Sequence, residues 1–239
     1  MTLCDIFAGM GARRRTVTVY NADPVPELDA YFTDWNVELR FDRLPGDTDE
    51  AFVTVRAGGE FLGSVDIEVL TPLLEPGGDR AWDDEPLPPT DAFLRLLDGT
   101  TFRTDDRDHL LAVSREFEDR AWRVGDGHLH AGFQRPAAFR TQCDAYARLA
   151  DRGLDVHLYA DGAWDAPGVE GASVTTTTDG ELGRYWFVAF DDGDRPDDTS
   201  QACALLAEEH QPGSYVGYWT YDPEWVRDLT DYLTETYGE

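Results

Sequence analysis

Between residues 106 and 134 the hydrophobic period changes once, from helical to extended, across a Gly-Asp-Gly turn. Leu110, Val113, Phe117, Ala121 and Val124 recur every three or four residues, which draws one apolar face along a helix over 106–124. After Gly125-Asp126-Gly127 the chain resumes as a strand over Leu129–Phe133. A helix with one apolar stripe that runs straight into a strand calls for a helix-on-sheet layer, so the expected class is α/β (α+β). The rest of the helix alternates in sign: Arg115 stands four before Asp119, Glu116 four before Arg120, and Ser114 four before Glu118. As solvated pairs these contribute a few tenths of a kcal/mol each, roughly. Arg115, Glu118 and Trp122 also share one stripe, at spacings of three and four. A charged pair buried there would serve recognition better than stability.

The flanking chain reads as helices and strands in alternation. Thr2 caps a short helix over 2–12, with Leu3, Ile6, Phe7 and Met10 on one side. A strand over Thr16–Asn21, a helix over Glu27–Trp35 and a strand over Val37–Phe41 follow. Ala51–Arg56 and Glu60–Val69 then form a hairpin around Gly58-Gly59. Leu73–Pro89, rich in proline, glycine and acid, reads as a loop, and a helix over 90–98 precedes the long one. Beyond Phe133 come a helix over Pro136–Asp151, a strand over Leu154–Ala160 and a loop through Asp179. Strands over Tyr185–Phe190, Ala202–Glu208 and Tyr215–Tyr221 lead to a last helix over Pro223–Tyr237. Asp29-Ala30-Tyr31 and Asp144-Ala145-Tyr146 each lie in a helix that feeds a V-x-L strand. We read this as two similar strand–helix–strand–hairpin halves of mixed sheet flanked by helices, although helix–strand pairs also look alike by chance. The chain is expected to form one domain over 1–239, with possible subdomains at 1–89 and 90–239.

Charge constrains the surroundings more than the fold. No lysine is present, and 20 arginines face 48 acids, two in three of them aspartate. The net charge of −28 and pI near 4.2 match a cytoplasmic protein of an extreme halophile, in which concentrated salt screens self-repulsion. Seven Trp, ten Tyr and twelve Phe speak for a packed core over a disordered acidic tail. Binding to nucleic acid or anionic lipid is disfavoured. Cys4, Cys143 and Cys203 are scattered without C-x-x-C spacing, as expected of reduced thiols. No signal peptide is read at the start, and no apolar run approaches the roughly 20 residues that cross a bilayer.

Few residues suggest chemistry. There is no G-x-S-x-G elbow, P-loop or dinucleotide fingerprint, and Gly9-x-Gly11 precedes a strand instead of following one. With 48 acids, paired carboxylates carry no information. His128-x-His130 points both rings to one face of a strand, but a metal needs a third ligand, so no metal site is expected. His157 and His109 read as structural. Tyr185-Trp186-Phe187, Tyr215, Tyr218, Trp219, Tyr221 and Trp225 concentrate aromatics in the last third, and Gly217 leaves space beside Trp219. No catalytic residue and no cofactor is named by this pattern. An enzyme acting on a small molecule through an unrecognised site remains the alternative to a binding module.

The segment S-R-E-F-E-D-R-A-W-R at 114–123, the turn, and A-G-F-Q at 131–134 together resemble the central signature of the DICT sensory domain. So do T-V-T-V-Y-N near the start, G-L-D-V-H-L-Y-A at 153–160 and G-Y-W-T-Y-D-P-E at 217–224. The resemblance implies a non-catalytic regulatory module in signal transduction, with a light-related or small-molecule input. It marks Ser114, Arg115, Glu118, Trp122, Gln134 and Trp219 as ligand- or partner-binding candidates. Such domains stand ahead of output domains, and the 239 residues leave no room for one. The expected partner is therefore a separate signalling protein: a histidine kinase, a cyclase-type enzyme or a transcriptional output.

Overall fold

The computed structural model describes residues 2–9, 14–33, 35–45, 50–70, 91–105, 107–193, 195–196 and 199–238. The expected loop over Leu73–Pro89 and the end of the first expected helix lie outside them. The chain divides into two compact units, Gly11–Val113 and Met1–Met10 with Ser114–Glu239.

In the unit Gly11–Val113, β1 (Arg15–Tyr20), α2 (Pro26–Phe32) and β2 (Val37–Asp42) make a parallel strand pair joined through a helix. β3 (Phe52–Ala57) runs antiparallel beside β1, and β4 (Glu60–Asp66) beside β3, in the order β2-β1-β3-β4. The alternation places Val17, Val19, Val53 and Val55 in the core. α3 (Asp91–Leu96) ends against Arg15, whose guanidinium donates to the carbonyls of Leu96 and Asp98 at 3.2 and 2.7 Å. Carbonyls at a helix end have no partner within the helix, so a buried arginine is satisfied there. Tyr31, Trp35 and Phe93 meet Phe32 edge to face, and Phe102 lies tilted against Trp35, which closes this core. β5 (Thr101–Thr104) also lies here, where the sequence predicts no strand; Phe102 bridges to Trp35.

In the other unit, α1 (Leu3–Ala8) starts on the predicted cap: Thr2 Oγ1 accepts from the Asp5 amide, and the Asp5 carboxylate accepts from Thr2 in return. α4 (Arg107–Val124), which begins in the first unit, ends at Gly125. That glycine takes the left-handed conformation, φ +66°, and closes the helix by donating to the Ala121 carbonyl. Then follow β6 (His128–Phe133), α5 (Pro136–Asp151), β7 (Asp155–Asp161) and β8 (Ala172–Thr177), a strand where the sequence suggests loop. β9 (Tyr185–Asp191), β10 (Cys203–Gln211), β11 (Ser214–Thr220) and α6 (Pro223–Tyr237) complete the chain.

Within this unit the strands run β11-β10-β9-β6-β7-β8, with β6, β7 and β8 parallel and β9, β10 and β11 antiparallel. Residues of one parity, Tyr159, Tyr185, Phe187, Ala189, Ala204 and Leu206, pack against α1 and α6. Those of the other parity meet α4 and α5, so the sheet is covered on both faces. Gly132 is required where it stands, because a Cβ there would lie 2.1 Å from the Phe187 ring.

The two units share a plan. β2-β1-β3-β4 and β7-β6-β9-β10 have the same order and the same directions, each with a helix between its first two strands. Tyr31 and Tyr146 are both buried in those helices. The second unit adds β8 beside β7 and β11 beside β10.

Candidate functional site

The apolar stripe of α4 is buried as its period predicts: Leu110, Val113, Phe117 and Ala121 are at most 1% exposed. Its polar residues depart from expectation. The sequence predicts a solvated charged face, yet Ser114, Glu116, Glu118 and Arg120 are 3, 7, 2 and 1% exposed. Period identifies the stripe that faces the sheet; it says nothing of what packs on the remaining sides. Here β9, α5 and the segments at Gln201 and Tyr221 do so.

Each of these four residues has a hydrogen-bond partner. The Ser114 hydroxyl accepts from the Trp186 indole on β9 at 3.0 Å. Glu118 accepts from the Tyr146 hydroxyl on α5. Arg120 donates to Gln201 Oε1 at 2.9 Å and lies 5.0 Å above the Tyr221 ring, a cation–π arrangement. Arg123 donates to Glu116 at 3.0 Å, seven residues back along the helix.

Gln134, just beyond β6, joins the same layer. Tyr215 on β11 donates to Gln134 Oε1 at 3.1 Å, and the Tyr215 ring meets Trp186 edge to face at 6.3 Å. Ser114, Trp186, Tyr215 and Gln134 thus form a series across one sheet face, although Ser114 and Gln134 are 20 residues apart in sequence. The Gln134 Nε2 is buried and has no hydrogen-bond partner among the described residues. It is a buried donor whose hydrogen-bonding capacity is unused.

The other candidates sit apart from that series. Arg115 is half-buried. Trp122 lies two turns beyond Ser114, with Arg152 and Arg148 at 5.5 and 5.8 Å from its ring and Arg152 Nε donating to its carbonyl. Trp219 is fully buried on β11, opposite Leu205. Sequence reasoning missed Tyr146, Trp186 and Tyr215 as partners of α4. Their aromatic density was visible, but which polar group each would meet was not. On the opposite sheet face, at the starts of β6 and β7, His128, Asp155 and His157 come together, and these residues could hold a metal. His130 beside them is buried, and burial first, then His157 and His128, push its imidazole down to about 3.

Residues 96–210 match the model of the DICT family, described as a sensory domain in diguanylate cyclases and two-component systems. The match bears out the resemblance read from the signature segment, and it contains α4 whole. No curated protein matches the chain. Among solved structures, the crystal structure of polyphosphate kinase from Porphyromonas gingivalis is similar at 13% identity and a TM-score of 0.37. That likeness covers 97% of this chain and 47% of that one, so the chain spans about half the length of the kinase. No helix among the described residues is long and apolar enough to cross a membrane.

Proposed function

We propose that the chain is a non-catalytic sensory module, with the DICT-matched residues 96–210 at its centre and the layer between α4, β9 and β11 as the part that registers the input. The supporting observation is that α4 keeps Ser114, Glu116, Glu118 and Arg120 buried, each hydrogen-bonded to a partner. Buried charges add little net stability, so a helix that retains several is suited to specificity. It is also suited to exchanging one set of hydrogen bonds for another when a ligand arrives. Ser114, Arg115, Glu118, Trp122, Gln134 and Trp219 form the proposed contact set. Gln134 Nε2 supplies a donor for a small molecule or chromophore with an acceptor group. In this reading the protein is cytoplasmic and passes its signal to a histidine kinase, a cyclase-type enzyme or a transcriptional regulator.

The test begins with protein purified from a high-salt host, examined by absorption and mass spectrometry for a bound compound. Ser114→Ala and Gln134→Leu should then keep the near-ultraviolet dichroism of the fold while weakening retention of that compound, or capture of the partner, at least about tenfold, equivalent to 1.4 kcal/mol. Undiminished binding by both folded variants would remove this layer as the site. Turnover of a small substrate, abolished by one substitution without loss of fold, would replace the sensory reading with an enzymatic one.

A further inference from the structure

Three of the five histidines in the chain gather where β6 and β7 begin. In their parallel register His128 stands opposite Asp155, and His130 opposite His157, so all four side chains share one sheet face. His128 Nδ1 and His157 Nε2 each lie 3.2 Å from Asp155 Oδ2. The three ligand atoms all fall within 4.8 Å of one another. Two donors bound at about 2.1 Å to one tetrahedral ion stand about 3.4 Å apart, so two of the three edges already have the length a metal requires.

His157 also meets a hydroxyl on the neighbouring strand β8. The Ser173 hydroxyl on β8 donates to the Val156 carbonyl at 3.5 Å and lies 3.3 Å from His157 Nδ1. His130 stacks on His157 at 4.6 Å and 13°, and Tyr159 holds His130 Nδ1 at 2.9 Å, which fixes the plane of the His157 ring.

We propose that His128, Asp155 and His157 bind one divalent transition-metal ion of the zinc class, with a fourth coordination position open to solvent. Two imidazole nitrogens and a carboxylate suit such ions, whereas magnesium and calcium take oxygen ligands. The ion would tie β6 to β7 just where the chain leaves the Gly125–Gly127 turn. The site uses the sheet face away from α4 and shares no residue with the Ser114–Gln134 layer, so it is a second input, independent of the first.

The test uses the full chain in molar potassium chloride with Co2+ as the probe. One equivalent should bind with the intense visible bands of low-coordinate cobalt, be displaced by one equivalent of Zn2+ and resist excess Mg2+. His128→Gln and His157→Gln should each weaken binding by at least about tenfold, since even residues that only orient a metal ligand cost that much. The His128 side chain is half exposed, so its variant keeps the fold, as near-ultraviolet dichroism would verify. A cobalt spectrum that stays that of the aqua ion would overturn the proposal. So would wild-type affinity in both variants, or displacement by Mg2+, which would assign the ion to the carboxylate-rich surface. None of these outcomes bears on the α4 layer, where no residue is altered.

Discussion

Glu118 shows at the scale of one residue how α4 departs from an ordinary amphipathic helix. Its carboxylate is 2% exposed and accepts from Tyr146, so a charge-assisted hydrogen bond offsets part of its desolvation. Tyr146→Phe removes the hydroxyl and should lower stability by about 1.5–3 kcal/mol, the usual worth of a hydrogen bond to a charged group. A urea melt in molar salt reads this directly, and a loss under about 0.5 kcal/mol would show that the bond does not hold the carboxylate. Helical spacing singled out Glu118 because spacing tells which residues share a stripe. It could not supply Tyr146, 28 residues away on another helix. The same limit applied to Ser114 and Trp186, a helix residue and a strand residue 72 positions apart.

At the scale of elements, long segments with a strong period were legible and short ones at sheet edges were not. α4, α5 and α6 each combine an apolar stripe with a proline start or glycine stop. β8, by contrast, reads Ala-Ser-Val-Thr-Thr-Thr and is largely half-exposed at the end of its sheet, so no apolar alternation announces it. β5 has only four residues. The attachment of α6 was equally silent. Glu181 accepts from the Leu3 amide at 2.9 Å and from the Tyr232 and Tyr237 hydroxyls at 2.5 and 2.6 Å, which fastens α1 and α6 to one carboxylate. Burial first, then that carboxylate, raise Tyr232 from 10.0 to about 12, and Tyr237 is raised by the same causes. A tyrosine whose folded pKa is raised contributes stability that is whole below about pH 10 and lost as pH climbs through the folded value. The thermal midpoint should therefore fall above pH 10, and less steeply in Tyr232→Phe. An unchanged slope in that variant would separate alkaline unfolding from this cluster.

At the scale of the molecule, the net charge of −28 governs how the fold responds to salt. Self-repulsion of that size is offset only where counterions are dense, since the Debye length shrinks from about 10 Å at 0.1 M salt to about 3 Å at 1 M. Dialysis from molar to millimolar salt should abolish the near-ultraviolet dichroism of the tryptophans and tyrosines. A sharp thermal transition retained in dilute buffer would contradict salt-dependent folding.

Periodicity, caps and composition determined the α/β class, most helices and strands, and the Thr2 cap. These are local properties, written in residues a few positions apart. Tertiary structure alone decided that the polar residues of α4 would be buried and that Gln134 would meet Tyr215. It alone also brought His128 and His157 together around Asp155. Those outcomes depend on which strands become neighbours and in what register. One register places His130 beside His157, and a shift of a single residue would turn the rings to opposite faces of the sheet. Pairing between segments tens of residues apart is settled by the packing of the whole sheet, and no window of sequence contains it.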